Sequence, residues 1–401
     1  MPRVRVRQLQ GAPVVAVRVW LPGGVRAESI PGQALIAGRL LAEGTKRRSW
    51  QRISEEAEAR GCSIVTTAGY SVQGVGLDGL ADDWERIVEW AVELTFEAGF
   101  HEARCEWLCL QATAELESMA DLPEVVTGWA FLQLLYPDHP LGRPLQGTLE
   151  GLASLTGRDC ASFHRSCLRR GPLIVITGEI DPEEVSTRLA DLVEQPAGAP
   201  GEWFEVADPK PPVESIRRIA LAPGEQAHLN IGGLTVRRSD SDFEAMQLLG
   251  VILGSGSGLI GRIPQRIRED EGLAYGCEVE SVAGAGVDRG RLVVSLSTSI
   301  SNLDRAVSVV REELERVYEQ SVSEEEVEAA RSYLLGREPF HRETARQWAV
   351  LELEAMFWNL PVNDPHWLRK RLEAVRPEDV GEAARRHLEP GNLVETAGVP
   401  S

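Results

Sequence analysis

The same order of elements occurs twice in this chain, once on each side of a proline-rich break, and that recurrence narrows the fold more than any single motif. The break is QPAGAPGEWFEVADPKPPVE, residues 195–214, where five prolines and two glycines interrupt every periodicity. Before it, a strand at 14–21 (VVAVRVWL) leads to a helix through LIAGRLLAEG, a helix at SWQRISEEAEARG and strands in SIVTTAGYSVQGVGLDG. Two helices follow, ADDWERIVEWAVELTFEAG and HEARCEWLCLQATAELESM. After the break, a strand at 227–236 (AHLNIGGLTV) precedes the helix DFEAMQLLGVILG and the short helix GRIPQRIREDEG. Strands at AYGCEVESVAGAG and GRLVVSLSTS come next, then the helices NLDRAVSVVREELERVYEQ and SEEEVEAARSYLLGREPF. The expected fold is α+β: two homologous halves, residues 1–194 and 215–401, joined by a linker at 195–214. Each half is expected to be an antiparallel-rich sheet with helices packed on one face, since polar alternation in the strands leaves one face more open. The tail RHLEPGNLVETAGVPS reads as a last strand and a loose end.

Composition removes several classes of function. The 401 residues carry 61 acidic against 42 basic side chains, a formal charge of −19 that repels nucleic-acid phosphates. No apolar run approaches the roughly 20 residues of a membrane span. The N-terminal MPRVRVRQLQGAPVVAVRVWLPGG alternates apolar with polar residues and reads as a strand rather than a signal peptide, so a cytoplasmic location is expected. Six cysteines (62, 105, 109, 160, 167 and 277) lack the dense spacing of a disulfide scaffold. Two sets fall on one helical face: His101, Cys105 and Cys109, and Cys160, His164 and Cys167. That spacing suits soft metal ligands, but small buried cysteines on an amphipathic helix give it more often.

Five stretches, in order, resemble the M16 (pitrilysin-like) zinc peptidases, in particular processing-peptidase-like bacterial members of this size. They are GGVRAESIPGQALIAGRLLAEGT (23–45), ADLPEVV (120–126), HPLGRPLQGT (139–148), LIVITGEID (173–181) and ILGSGSGLIGRIPQRIREDEGLAYG (252–276). Active members of the family carry His-x-x-Glu-His on the first helix, two histidines for zinc and a glutamate to polarise its water. Counting back from Gly44 and Thr45 puts Leu35, Gly38 and Arg39 at those positions. Leucine has no lone pair, glycine has no side chain, and a guanidinium is a cation at any accessible pH. The family's third ligand, a glutamate from a later helix, falls on Glu115. One carboxylate does not hold zinc, so Glu115 is a vestigial ligand expected to pair with Arg39. The resemblance implies no zinc in this chain and no catalytic residue of its own.

In the second half RIREDEGLAYG supplies Arg268 and Tyr275 at the positions where active members hold the substrate backbone and the carbonyl under attack. Both side chains donate hydrogen bonds to a developing oxyanion. The plainer reading is a surface arginine and a half-buried strand tyrosine. The GSGSG at 254–258 lacks the lysine and Ser/Thr of a phosphate-binding loop and reads as a flexible turn. A hydrolase built on His164 with Cys160, Cys167 or Ser162 is disfavoured, because ASFHRSCLRRGPLIVITGEID fits a helix leading into a core strand.

Three functions follow. The chain is expected to be a non-catalytic M16 homologue, holding peptide with Arg268 and Tyr275 for the zinc site of a partner, as a heterodimer or as a homodimer. A second reading is a scaffold subunit resembling the core proteins of respiratory complexes. The third is a self-sufficient peptidase with relocated ligands, Glu115 with His101, Cys105 or Cys109.

Overall fold

The computed structural model describes residues 3–193, 206–210, 212–256, 261–361 and 366–401. Residues 195–205 and 211 of the expected linker lie outside the described residues, as do Ser257 and Gly258 of the glycine-rich turn. The chain forms two compact units.

The first unit comprises Met1–Leu116, Pro144–Val206 and Pro339–Asn363. Its five strands are β1 (Arg3–Gln8), β2 (Val14–Pro22), β3 (Ser63–Ala68), β4 (Val72–Leu80) and β5 (Leu173–Gly178), in the order β1-β5-β2-β4-β3. Only β1 and β5 run parallel. Runs of valine and isoleucine make these segments strands, because branched side chains fit a pleated, half-buried surface. Alternation then sorts the side chains between the faces. Val15, Val17, Val19 and Leu21 are buried on the face where α1 (Gln33–Leu40) and α3 (Trp84–Phe96) lie, each aliphatic worth roughly 1.5–3 kcal/mol. α2 (Trp50–Glu58) starts on an N-cap, Ser49, whose side chain takes the Arg52 N–H, and α4 (Glu102–Ala120) follows α3.

The second unit comprises Glu117–Arg143, Ala207–Glu338 and Asp364–Ser401. Its strands β6 (Ser215–Leu221), β7 (Gln226–Leu234), β8 (Cys277–Ala283), β9 (Arg291–Ser299) and β10 (Val394–Pro400) take the order β6-β10-β7-β9-β8. First, last, second, fourth, third: the order is the same in both sheets, and again only the first and last strands are parallel. Two halves with one topology are what the recurrent pattern predicts. The tail is not a loose end: β10 is an interior strand, hydrogen-bonded to β6 on one side and β7 on the other.

Each unit takes one helix from the other half of the sequence. The helix Ala345–Trp358, from the later part of the chain, covers the more open face of the first sheet, where Ala16, Leu173 and Val175 meet Ala345, Ala349 and Leu353. In the other direction α5 (Pro123–Leu135) lies on β7 and β10. A Cβ on Gly398 of β10 would fall 2.2 Å from the Thr127 hydroxyl of α5, and Thr396 Oγ1 donates to the Thr127 carbonyl at 3.1 Å. Each sheet thus gains a helix on the face that strand alternation left open, because that face is still apolar enough to require cover.

Candidate functional site

α1 carries Leu35, Gly38 and Arg39, the positions at which the resemblance expects the metal-binding motif. Gly32 opens it with φ +96°, and the Glu28 carboxylate accepts the N–H groups of Gly32 and Ala34 at 3.2 and 3.1 Å. Leu35 is buried in the core. A Cβ on Gly38 would lie 3.1 Å from the Thr67 carbonyl oxygen and 3.2 Å from the Ala68 Cβ, so the missing side chain is what lets β3 come this close to α1. Arg39 and Glu115 form a two-pronged ion pair, Nη1 to Oε1 at 3.0 Å and Nη2 to Oε2 at 2.8 Å. A second pair, Arg104 to Glu43 at 2.6 Å, ties α4 to the end of the same segment.

These residues do not fit a zinc ion. One carboxylate is present, and a guanidinium already occupies both of its oxygens. Leu35→His adds a single donor beside that pair and is expected to leave zinc retention unchanged after dialysis against metal-free buffer, read by elemental mass spectrometry. Retention of about one zinc per chain would overturn the assignment. Gly38→Glu is a poorer repair still, since its Cβ must displace the backbone of β3.

Arg268 and Tyr275 lie in the second unit. Arg262–Pro264 make one helical turn, and Gln265–Asp270 continue it as a π-helix, a rare geometry frequent at functional sites. Arg268 leaves that segment with its guanidinium 5.3 Å from the centroid of the Tyr275 ring. Tyr275 precedes β8 and is 90% exposed, so it is neither half-buried nor within a strand. Packing does not explain a tyrosine held in that position.

The cysteines and His164 are core, whereas His101 is exposed. All six cysteines are buried and unbridged, and burial pushes the thiols of Cys167 and Cys277 up to about 12. His101 approaches the Thr45 carbonyl at 3.4 Å, and among the described residues no three His, Cys, Asp or Glu side chains are grouped to hold a metal. His164 Nε2 donates to the Thr95 carbonyl at 2.8 Å, while Gln73 Nε2 lies 3.4 Å from Nδ1. Burial pulls this imidazole down to about 4. With its folded value below the usual ~6.5, the unfolded chain takes up the proton first, so stability is full above about pH 6.5 and falls as pH drops toward 4. Between about pH 7 and pH 5 the loss is about 2 kcal/mol. Urea unfolding at the two pH values should show it in the parent and not in His164→Gln.

Two five-stranded sheets of one topology, each covered by helices, make the two-halved fold of M16-like proteins. Residues 155–334 match the family described as peptidase M16 inactive domain, and the first helix of this chain carries no His-x-x-Glu-His. It is 28% identical to an uncharacterized zinc protease of Mycobacterium leprae, over 86% of this chain and 78% of that one. It is 23% identical to the non-peptidase homolog YmxG of Helicobacter pylori, over 90% of this chain and 83% of the other. The crystal structure of a peptidase M16 inactive domain from Pseudomonas fluorescens superposes with a TM-score of 0.88 at 21% identity, covering 100% of this chain and 96% of that one. Among the described residues no helix is long and apolar enough to cross a membrane.

Proposed function

We propose that this non-peptidase M16 homologue is the peptide-holding subunit of a heteromeric zinc peptidase, with zinc in a homologous partner and Arg268 and Tyr275 supplied from this chain. The observation that carries the reading is the pair itself. A tyrosine 90% exposed, stacked with an arginine on a π-helical segment, offers two donors to an oxyanion and has no structural employment. The helix that lost its ligands agrees with it, because Arg39 and Glu115 neutralise each other where a catalytic subunit would carry metal. β3 supplies a place for substrate: it ends its sheet, pairs among the described residues with β4 alone, and passes Gly38 at Thr67 and Ala68. An extended peptide adds to such an edge by main-chain hydrogen bonds.

The test is reconstitution. This chain and a zinc-bearing M16 homologue from the same cell are purified separately and mixed with a quenched fluorescent peptide. Turnover that neither chain gives alone, with zinc measured in the homologue only, is the expected result. A stable complex without any gain in turnover would leave a scaffold subunit instead.

A further inference from the structure

At the end of β3 remote from α1 the first unit holds a cavity of about 630 Å³. Gly61 and Ser63 open it at the start of β3, Asp78 and Leu80 line it from β4, and Arg60 and Arg346 stand at it from two sides. The charged groups are few and can be accounted for. Asp78 is gripped by Arg18 at 2.8 and 3.0 Å and by Arg346 at 2.8 Å, while Arg60 bonds Asp83. Three guanidiniums therefore face two carboxylates, an excess of positive charge in a chain of net charge −19. Arg346 and Arg60 stay half or more exposed, at 60% and 50% of the side chain, so both still have donors to offer. The helix Ala345–Trp358 also begins here, directing its positive end toward the space.

We infer that this cavity receives the C-terminal carboxylate of a peptide laid along β3. The inference rests on the reading of the chain as a peptide-holding subunit and adds to it an orientation and a subsite. β3 runs from Ser63 at the cavity to Ala68 beside α1. A peptide added antiparallel, as β4 is, runs the other way and brings its C-terminus to Arg60 and Arg346. Laid parallel, it would bring an ammonium group to two guanidiniums, which repel it. Val14 and Leu80, 39% and 53% exposed, give the last side chain an apolar wall. Six residues of β3 at about 3.3 Å each set the reach, so the residue passing Gly38 is about the sixth from the C-terminus.

The experiment uses the full chain and an N-terminally labelled peptide of alternating valine and serine, made with a free C-terminal carboxylate and as its amide. Binding is read by fluorescence anisotropy. The acid is expected to bind about tenfold more tightly than the amide, and the ratio to fall to near one in Arg60→Gln/Arg346→Gln. Both positions are exposed and Asp78 keeps Arg18, so the variant should match the parent's thermal midpoint. Equal binding of acid and amide to the parent would remove the carboxylate subsite and leave the β3 edge standing. If neither peptide binds, both the subsite and the β3 edge are overturned.

Discussion

Tyr275→Phe is expected to lower kcat of the reconstituted pair about 10²-fold, or about 3 kcal/mol of transition-state stabilisation, with KM changed far less. The substitution removes one hydroxyl donor and nothing else. Because Tyr275 is 90% exposed, its ring contributes almost no buried area, and the thermal midpoint of the chain should not move. Arg268→Ala should cost a similar factor, and Arg268→Lys should recover only part of it, since an ammonium keeps the charge but loses the planar fork. Steady-state kinetics with saturating peptide separate these cases. Turnover within twofold of the parent in Tyr275→Phe would sink the donor role and favour a scaffold.

The second large effect concerns stability. Glu352, on the exchanged helix Ala345–Trp358, has a side chain of 0% exposure and is held by Arg5 and Arg7 of β1. Arg7 also lies over the Trp348 ring, 4.4 Å from its centroid. Removing both arginines strands a buried carboxylate, and Arg5→Ala/Arg7→Ala is expected to cost about 3–5 kcal/mol in equilibrium unfolding. Adding Glu352→Met to that double variant should restore most of the loss, because an apolar side chain of similar size needs no counter-charge. If the triple variant is no more stable than the double, the cost comes from the lost stacking on Trp348 rather than from the stranded charge.

Much of this was legible before any coordinates. The recurrent order of strands and helices stated two like halves, and the two sheets share one strand order. A guanidinium and a carboxylate at two former ligand positions pointed to a pair, and Arg39 bonds Glu115 through both oxygens. The exchange of α5 and the helix Ala345–Trp358 was not legible, because local periodicity says which face of a helix is apolar but not which sheet it meets. A clue lay in RVRVRQ: three arginines on one face of a strand require a carboxylate opposite, and ARQWAVLELEAMFW carries one on an apolar helix. The interior place of β10 was missed for a related reason, since strand order in a sheet is a long-range property. The π-helical turn under Arg268 also left no trace, as the i to i+5 ladder has no residue signature of its own.

The exchanged helices also set a timetable for synthesis. All five strands of the first sheet have been synthesised once Gly178 is made, yet the helix that covers Ala16, Leu173 and Val175 ends only at Trp358. At about 5–20 residues per second the nascent chain carries that uncovered apolar face for many seconds. The first unit therefore keeps an apolar sheet face open until nearly the whole message has been read. A premature stop between codons 179 and 345 yields not a shorter working domain but an exposed sheet.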